Sequence, residues 1–461
     1  MSPATHDLVS IQLLQPLRRL SRLARPALRP AALACREGLS LREQVAGWPT
    51  EQRREWMLAR LREAVRRAWW TTRYYRELFD QIGFDPRSDF TFDDFAALPT
   101  LEREEIHRAG RALVSVAVPS ADLRQDATGG STGVPTVIWL GPSERGWRES
   151  GIEHYMRRIG LPRGIRAAAL WGHHLDPKAG DGLGDRLRSF VDNSRELECF
   201  RLSPSTLAGY HATLERWQPR YLLAYANALA ALAAEVHARG WRPSYPTQCF
   251  VTGAEKLMPG DRALIQSVFG RPIHERYGSR DVGLIAFQVD PDRSLELEID
   301  WANVLIEPDS RDPVASILVT KLHGDGMPML RYRIGDLARF PAGSRPGHPT
   351  FELDEVLGRE LDRIWLPDGR WIHGIEFPHM MKDHPVRQYQ IVQTDDASVT
   401  VRLVPAPTFG EDNRVDILRT LHANLDGLAV SLELCEALPR TRANKVRFVV
   451  SEIDERRRAQ R

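Results

Sequence analysis

The sequence predicts an α/β protein in two parts: a large N-terminal layered α/β domain and a smaller C-terminal α+β domain. Three observations carry that prediction. Between Ala167 and Tyr277 short apolar runs alternate with helix-like stretches, the pattern of stacked helix and sheet layers. A breaker cluster, Pro341-Ala342-Gly343-Ser344-Arg345-Pro346-Gly347-His348-Pro349, then interrupts the chain, and the residues beyond it alternate anew. Ahead of both lies a loop of small and hydroxylated residues, Thr128-Gly129-Gly130-Ser131-Thr132-Gly133. Such a loop presents backbone N–H and hydroxyl donors together, which suits a phosphate chain.

Residues 1–45 are rich in leucine and arginine, and Pro16, Pro26 and Pro30 prevent one long helix. They read as an extension that packs on the body or frays, with a membrane-surface or partner contact as the alternative. Trp56, Leu58, Leu61, Val65 and Trp69 recur at helical spacing, which predicts helix over 50–83. Thr100, followed by Glu102, Glu104 and Glu105, reads as the N-cap of another helix. Strands are expected at Ala167–Trp171, Tyr221–Tyr225, Gln248–Val251 and Ile273–Tyr277. Helices are expected at 228–238, capped by Asn227 and ended by Gly240, and at Pro259–Phe269. Residues 284–340 are strand-rich: Leu284–Val289, Val304–Glu307, Ser316–Thr320 and Arg331–Ile334. The expected divisions are 1–45, 46–357 and 358–461. The last contains strands near 362–366, 389–394, 399–404 and 429–434 and a helix near 411–424.

Composition excludes several classes. With 461 residues there is room for two or three domains, and 42% hydrophobic and 27% charged residues are ordinary for a globular chain. A formal net charge of +2 offers no footprint for nucleic acid. Cys35, Cys199, Cys249 and Cys435 are far apart and form no Cys-x-x-Cys pair, so neither a zinc site nor a disulfide framework is expected. A reducing cytoplasm fits. No apolar run reaches the length of a membrane span, and no signal-peptide pattern is expected at the N-terminus.

The glycine loop is not a Walker A motif, because Val134 follows Gly133 where Lys-Ser/Thr is required. If it holds ATP, the cation comes from elsewhere. Only five lysines exist: Lys178, Lys256, Lys321, Lys382 and Lys445. Two other polar stretches close predicted strands, Thr252-Gly253-Ala254-Glu255 and Gly278-Ser279-Arg280-Asp281. Ligands gather at the carboxyl ends of strands in such folds. His173 and His174 also follow a strand end; they either line an acyl or phosphate region or are ordinary paired histidines.

Taken in order, these motifs over roughly residues 55–450 resemble the adenylate-forming enzymes: acyl-CoA synthetases, peptide-synthetase adenylation domains and luciferase. Within that family the chain looks most like phenylacetate–CoA ligases and the related proteins of capsular polysaccharide biosynthesis. The resemblance implies that Thr128, Gly129, Gly130, Ser131, Thr132 and Gly133 bind the ATP phosphates. It implies that Gly253, Ala254 and Glu255 lie along the adenine and that Tyr277, followed by Gly278 and Ser279, stacks on it. Asp281 stands where most members carry a magnesium-binding glutamate. Tyr332-Arg333-Ile334-Gly335-Asp336 is similar to the signature whose aspartate, here Asp336, binds the ribose hydroxyls. Arg359 matches the nucleotide-contacting arginine, Asp362 the hinge, and Lys445 the adenylation lysine, preceded by Asn444 where glycine is usual. His173 joins Lys445 and Asp281 as a catalytic candidate.

The resemblance implies a small domain that is mobile and carries Lys445 to the phosphates. It implies ATP, Mg²⁺ and a carboxylic acid as reactants, an acyl-adenylate as intermediate and a thiol, CoA, as acceptor. The alternatives are an adenylyltransferase or carrier-loading enzyme with another acceptor, and a nucleotide-binding scaffold without catalysis. A carrier protein and a homodimer are the possible partners.

Overall fold

The computed structural model describes residues 29–127, 136–171, 193–199, 202–359, 363–373, 376–381, 384–439 and 446–453. Among them the architecture is α/β. Five helices come first: α1 (Arg29–Gln44), α2 (Thr50–Thr71), α3 (Arg73–Ile82), α4 (Phe92–Ala96) and α5 (Arg103–Ala109). A hairpin of β1 (Arg124–Ala127) and β2 (Val137–Leu140) and the helix α6 (Pro142–Arg158) follow. The main sheet then begins with β3 (Ala167–Leu170), β4 (Ser194–Leu197), β5 (Tyr221–Tyr225), β6 (Cys249–Gly253) and β7 (Ile273–Ser279). These are parallel, as βαβ crossovers require. The crossing helices α7 (Pro204–Trp217), α8 (Ala226–Ala238) and α9 (Pro259–Phe269) bury Leu214, Leu229, Leu232 and Ile265 against the strands. Three antiparallel strands, β8 (Gly283–Phe287), β9 (Leu297–Ile299) and β13 (Glu352–Leu353), complete an eight-stranded sheet.

A second sheet, antiparallel and four-stranded, joins β10 (Val304–Pro308), β11 (Val314–Lys321), β12 (Tyr332–Arg339) and β14 (Glu355–Arg359). The N-terminal helices pack on it through a shared core that includes Met57, Leu61, Phe79, Phe95, Val319 and Tyr332. Beyond it lie the hairpin of β15 (Arg363–Trp365) and β16 (Trp371–His373), the helix α10 (Glu376–Met381), the strands β17 (Val386–Gln393) and β18 (Ser398–Pro405), the helix α11 (Glu411–Asn424), and β19 (Ala429–Leu434) and β20 (Val449–Ser451). Their sheet, in order β19-β18-β17-β20, has its own core around Phe377, Tyr389, Val401, Ile417 and Leu421.

Three local expectations are corrected. The predicted helix 50–83 is two helices. It breaks at Thr72, whose hydroxyl donates to the Ala68 carbonyl at 2.7 Å and accepts from the Tyr75 N–H at 3.3 Å, so one side chain ends α2 and caps α3. The N-cap of α5 is Glu102 rather than Thr100, and its N–H donates to Glu105 Oε2 at 3.3 Å. Asn227 does not cap α8. It lies inside that helix, buried, and its side-chain oxygen accepts a hydrogen bond from Gln388 of β17 at 2.9 Å.

Helix α1, within the stretch set apart as an extension, is anchored on the large unit. It crosses α6 where Gly146 faces the Ala31 carbonyl, too close for any side chain there. Its Arg42 makes a buried ion pair with Asp300, 2.7 Å between Nη2 and Oδ1. No helix among the described residues is long and apolar enough to cross a membrane.

Candidate active site

Two sets of Tyr, Asp and Arg face each other across β7 and β12. Tyr277 of β7 donates to Asp336 Oδ2 at 2.7 Å. Asp336 lies opposite Arg359 in the register of β12 and β14, and Arg359 Nε is 3.2 Å from Asp336 Oδ1. In the second set, Tyr332 of β12 donates to Asp281 Oδ2 at 2.8 Å. Arg103 of α5 approaches the same oxygen at 3.7 Å and the Tyr332 hydroxyl at 3.4 Å. The exchange is reciprocal. Each chain segment supplies a tyrosine and, four residues on, the aspartate held by the other segment's tyrosine. Burial, and then the partner carboxylate, pushes both tyrosine hydroxyls well above the ordinary phenol range. The charge of Asp336 strengthens the protonation of Arg359.

The two aspartates are not equally satisfied. Asp336 has two partners, and a carboxylate offers about four acceptor positions, so room remains for two hydroxyls. Asp281 is buried, and its Oδ1 accepts no hydrogen bond among the described residues. A buried acceptor without a donor costs about 1–3 kcal/mol. A cation there would remove that cost, and the free oxygen of Asp281 is of the hard-donor kind that would hold a magnesium ion. No cluster of three or more His, Cys, Asp or Glu among the described residues makes a metal site of its own.

The turn carrying Asp281 is held from behind. Arg148 of α6 donates to the carbonyls of Arg280 at 2.8 Å and Asp281 at 2.5 Å and pairs with Glu144. The buried Lys321 stands 3.0 Å from the same Glu144 oxygen. Gly278 cannot carry a side chain, since a Cβ would strike the Gly283 carbonyl. The Ser279 hydroxyl accepts from the Val282 N–H at 3.3 Å and closes the turn.

The glycine loop's stems sit beside this turn. Arg280 Nη1 donates to the carbonyl of Ala127, the last residue before the loop, at 3.0 Å. Thr136 follows the loop, and its hydroxyl is 2.8 Å from His107 Nε2. Arg103 and His107 lie one turn apart on α5, so one helix face serves both Asp281 and the far stem. Backbone bonds from Leu101 to Arg331 and from Arg333 to Leu101 pin the start of that helix to β12.

At the neighbouring strand end, Ala254 has φ +68°, in the left-handed region that non-glycine residues seldom enter. Strained backbone of that kind clusters at functional sites. Glu255 Oε2 accepts from the Asn227 N–H at 3.2 Å.

The structure thus brings Tyr277, Gly278, Ser279, Asp281, Asp336 and Arg359 together and places Gly253, Ala254 and Glu255 on the adjacent parallel strand end. Arg333 points to the other face, with Glu102 at 3.0 Å and Asp309 at 2.6 Å, and makes no pair with Asp336. Thr128–Gly133, His173, His174, Asp362, Asn444 and Lys445 lie outside the described residues. Sequence reasoning missed the contributions of Arg103, His107 and Arg148. Tyr332 stood inside a quoted motif without a role. Its even spacing from Asp336 on one strand was the available signal.

No family model matches the chain. It is 19% identical to protein CapK of Staphylococcus aureus over 82% of the chain and 85% of that protein. It is 23% identical to the phenylacetate–coenzyme A ligase of Thermus thermophilus over 83% of the chain and 89% of the ligase. Among solved structures, 2-hydroxyisobutyryl-CoA ligase in its postadenylation state is similar at a TM-score of 0.68. That match has 18% identity and covers 90% of this chain and 92% of that one. The chain therefore has the fold of 2-hydroxyisobutyryl-CoA ligase, and in sequence it is similar to phenylacetate–coenzyme A ligases.

Proposed function

We propose that this chain activates a carboxylic acid with ATP and passes the acyl group to a thiol, that of coenzyme A. In the first half-reaction a carboxylate oxygen attacks the α-phosphorus, the bond to the bridging oxygen breaks, and pyrophosphate leaves. In the second, the thiolate attacks the acyl carbon and AMP leaves with the bonding electron pair. The observation that carries the reading is the reciprocal Tyr–Asp pairing of β7 and β12, with the stems of a glycine loop at its phosphate end.

The residues divide the work along the nucleotide. Asp336 takes the ribose hydroxyls, steadied by Tyr277 and Arg359. The ring of Tyr277, half-buried, offers the base a face, with Gly253–Glu255 as the opposite wall. Asp281 would hold a magnesium ion, which supplies Lewis-acid stabilisation of phosphate charge. The loop at 128–133 donates to the outer phosphates, and Lys445 brings the ammonium that the loop lacks. Such preorganised donors act where negative charge builds. The four cysteines, without a disulfide framework, fit a cytoplasmic setting.

Acid-dependent exchange of labelled pyrophosphate into ATP tests the reading. Exchange with at least one member of a panel of aromatic and aliphatic acids is expected. A folded, ATP-binding protein that exchanges with none contradicts it. The mass of the second product separates a coenzyme A thioester from an acylated carrier protein.

A further inference from the structure

Arg276 has no role in the scheme above and, among the described residues, no anionic partner. It lies in β7 between Glu275 and Tyr277, so it projects to the opposite face from Tyr277. There it meets the carboxyl ends of the neighbouring parallel strands. Its guanidinium carbon is 5.2 Å from the centre of the Trp171 ring, just past β3. Trp171 stacks on Tyr225 at the end of β5, 4.3 Å between ring centres. Gly253, at the end of β6 and in register with Tyr225, makes room for it: a Cβ at 253 would lie 2.9 Å from Arg276 Cγ and 3.1 Å from Nε.

Among the described residues Arg276 makes this ring contact and neither hydrogen bond nor ion pair. Burial works against its charge, and the hydroxyls of Tyr221 and Tyr225 offset part of that. Arg276 is half-buried, and charges drawn from water are ordinarily paired, because that removal is expensive. An arginine keeps its proton in such surroundings and remains a five-donor fork shaped for a carboxylate. A half-buried guanidinium beside an aromatic wall at the ligand-binding edge of a parallel sheet is placed to take an anion.

The anion is not the carboxylate that reacts. The phosphate end of the site is marked by Asp281 and by Arg280, which holds the loop stem. Arg276 lies four residues back along the chain from Arg280, about 13 Å on an extended strand. A guanidinium clamped on the attacking carboxylate would also stabilise its charge before reaction and oppose attack.

We infer that Arg276 is the counter-charge for a second anionic group on the acid substrate, remote from the carboxylate that is activated, and that the substrate class is therefore dicarboxylic. The inference rests on the acid-activation reading. The carbon skeleton of the diacid packs against Trp171 and Tyr225, its distal carboxylate meets Arg276, and its other carboxylate reaches the phosphates.

The test uses acid pairs that differ by a distal carboxylate, phenylacetate with 4-carboxyphenylacetate and butyrate with glutarate, on the wild type, Arg276→Met and Arg276→Lys. The wild type is expected to favour the diacid of at least one pair in kcat/KM for pyrophosphate exchange. In Arg276→Met the diacid-to-monoacid ratio falls by about 30-fold or more, the size expected when one partner of an enclosed charge pair is removed. Arg276→Lys falls between. Equal use of both acids by the wild type, or an unchanged ratio in Arg276→Met, overturns the inference. If the wild type exchanges with no acid, acid activation itself fails. The same pairs are then compared by calorimetric binding. Diacid binding that Arg276→Met loses supports the anion site, and no diacid binding by the wild type removes it. ATP affinity and melting temperature of each variant exclude misfolding as the cause.

Discussion

Tyr332 and Tyr277 do equivalent jobs on two aspartates with different demands. Asp336 has Arg359 at 3.2 Å as a close second partner, whereas Asp281 has Arg103 only at 3.7 Å and a second oxygen with no donor. Tyr332→Phe therefore strips a buried carboxylate of its one short hydrogen bond. It is expected to lower stability by about 1–3 kcal/mol, read as a fall in denaturant midpoint at constant slope. An unchanged midpoint would mean that Asp281 finds a substitute donor. Magnesium should recover part of the loss, since it satisfies the same carboxylate. At this scale the clustering of Tyr277, Asp336 and Arg359 was legible, because they sit in short ordered motifs. Arg103 was not, because the contact that gives it a role spans 229 positions and depends on the pinning of Leu101 to β12. Arg333 was misleading for the opposite reason. It sits in the motif, but strand alternation sends it to the other face.

Among the elements, α8 and α9 meet β17 across the two units. Gln388 donates to Asn227 Oδ1 and to Asp261 Oδ2, both at 2.9 Å, and a Cβ on Gly260 would press against the Val386 carbonyl at 2.7 Å. Burial pushes the Asp261 carboxyl up from 3.8 to about 6, against the pull of Gln388 and Arg387. The folded-state value is raised, so this group's contribution is fully present below the unfolded value. It is lost as pH rises through about 6. A rise of about two pKa units at about 1.4 kcal/mol each makes the whole loss about 3 kcal/mol once both states are ionised. Asp261→Asn keeps an acceptor for Gln388 and removes the charge. It is expected to stabilise the protein at pH 7.5 and to do little at pH 4, as thermal unfolding at both values will show. Equal effects at the two values would contradict the assignment. Element boundaries were legible where backbone chemistry is strict. Pro259–Phe269 is found as expected, between a proline that starts it and Gly270 at φ +60° that ends it. The break at Thr72 was hidden because the apolar spacing runs on through it, and only the hydroxyl's two hydrogen bonds reveal it.

At the scale of the molecule, α5, β7, β12 and the stems of the glycine loop come together on the large unit, while Lys445, proposed to complete the site, falls in sequence between β19 and β20. The order of motifs and the loop's lack of a lysine of its own are what suggest that division of labour. What stayed unreadable was the surroundings of the acid. The packing of Arg276 against Trp171 and Gly253 arises from three strand ends that only the sheet brings together. The account stands on Lys445 acting in the adenylation step rather than in nucleotide binding. The direct measurement is acid-dependent pyrophosphate exchange by Lys445→Ala beside its affinity for ATP. The account predicts that exchange falls by about 100-fold or more while ATP affinity stays within a few-fold of wild type. Exchange at the wild-type rate, or loss of ATP binding in step with exchange, would contradict it.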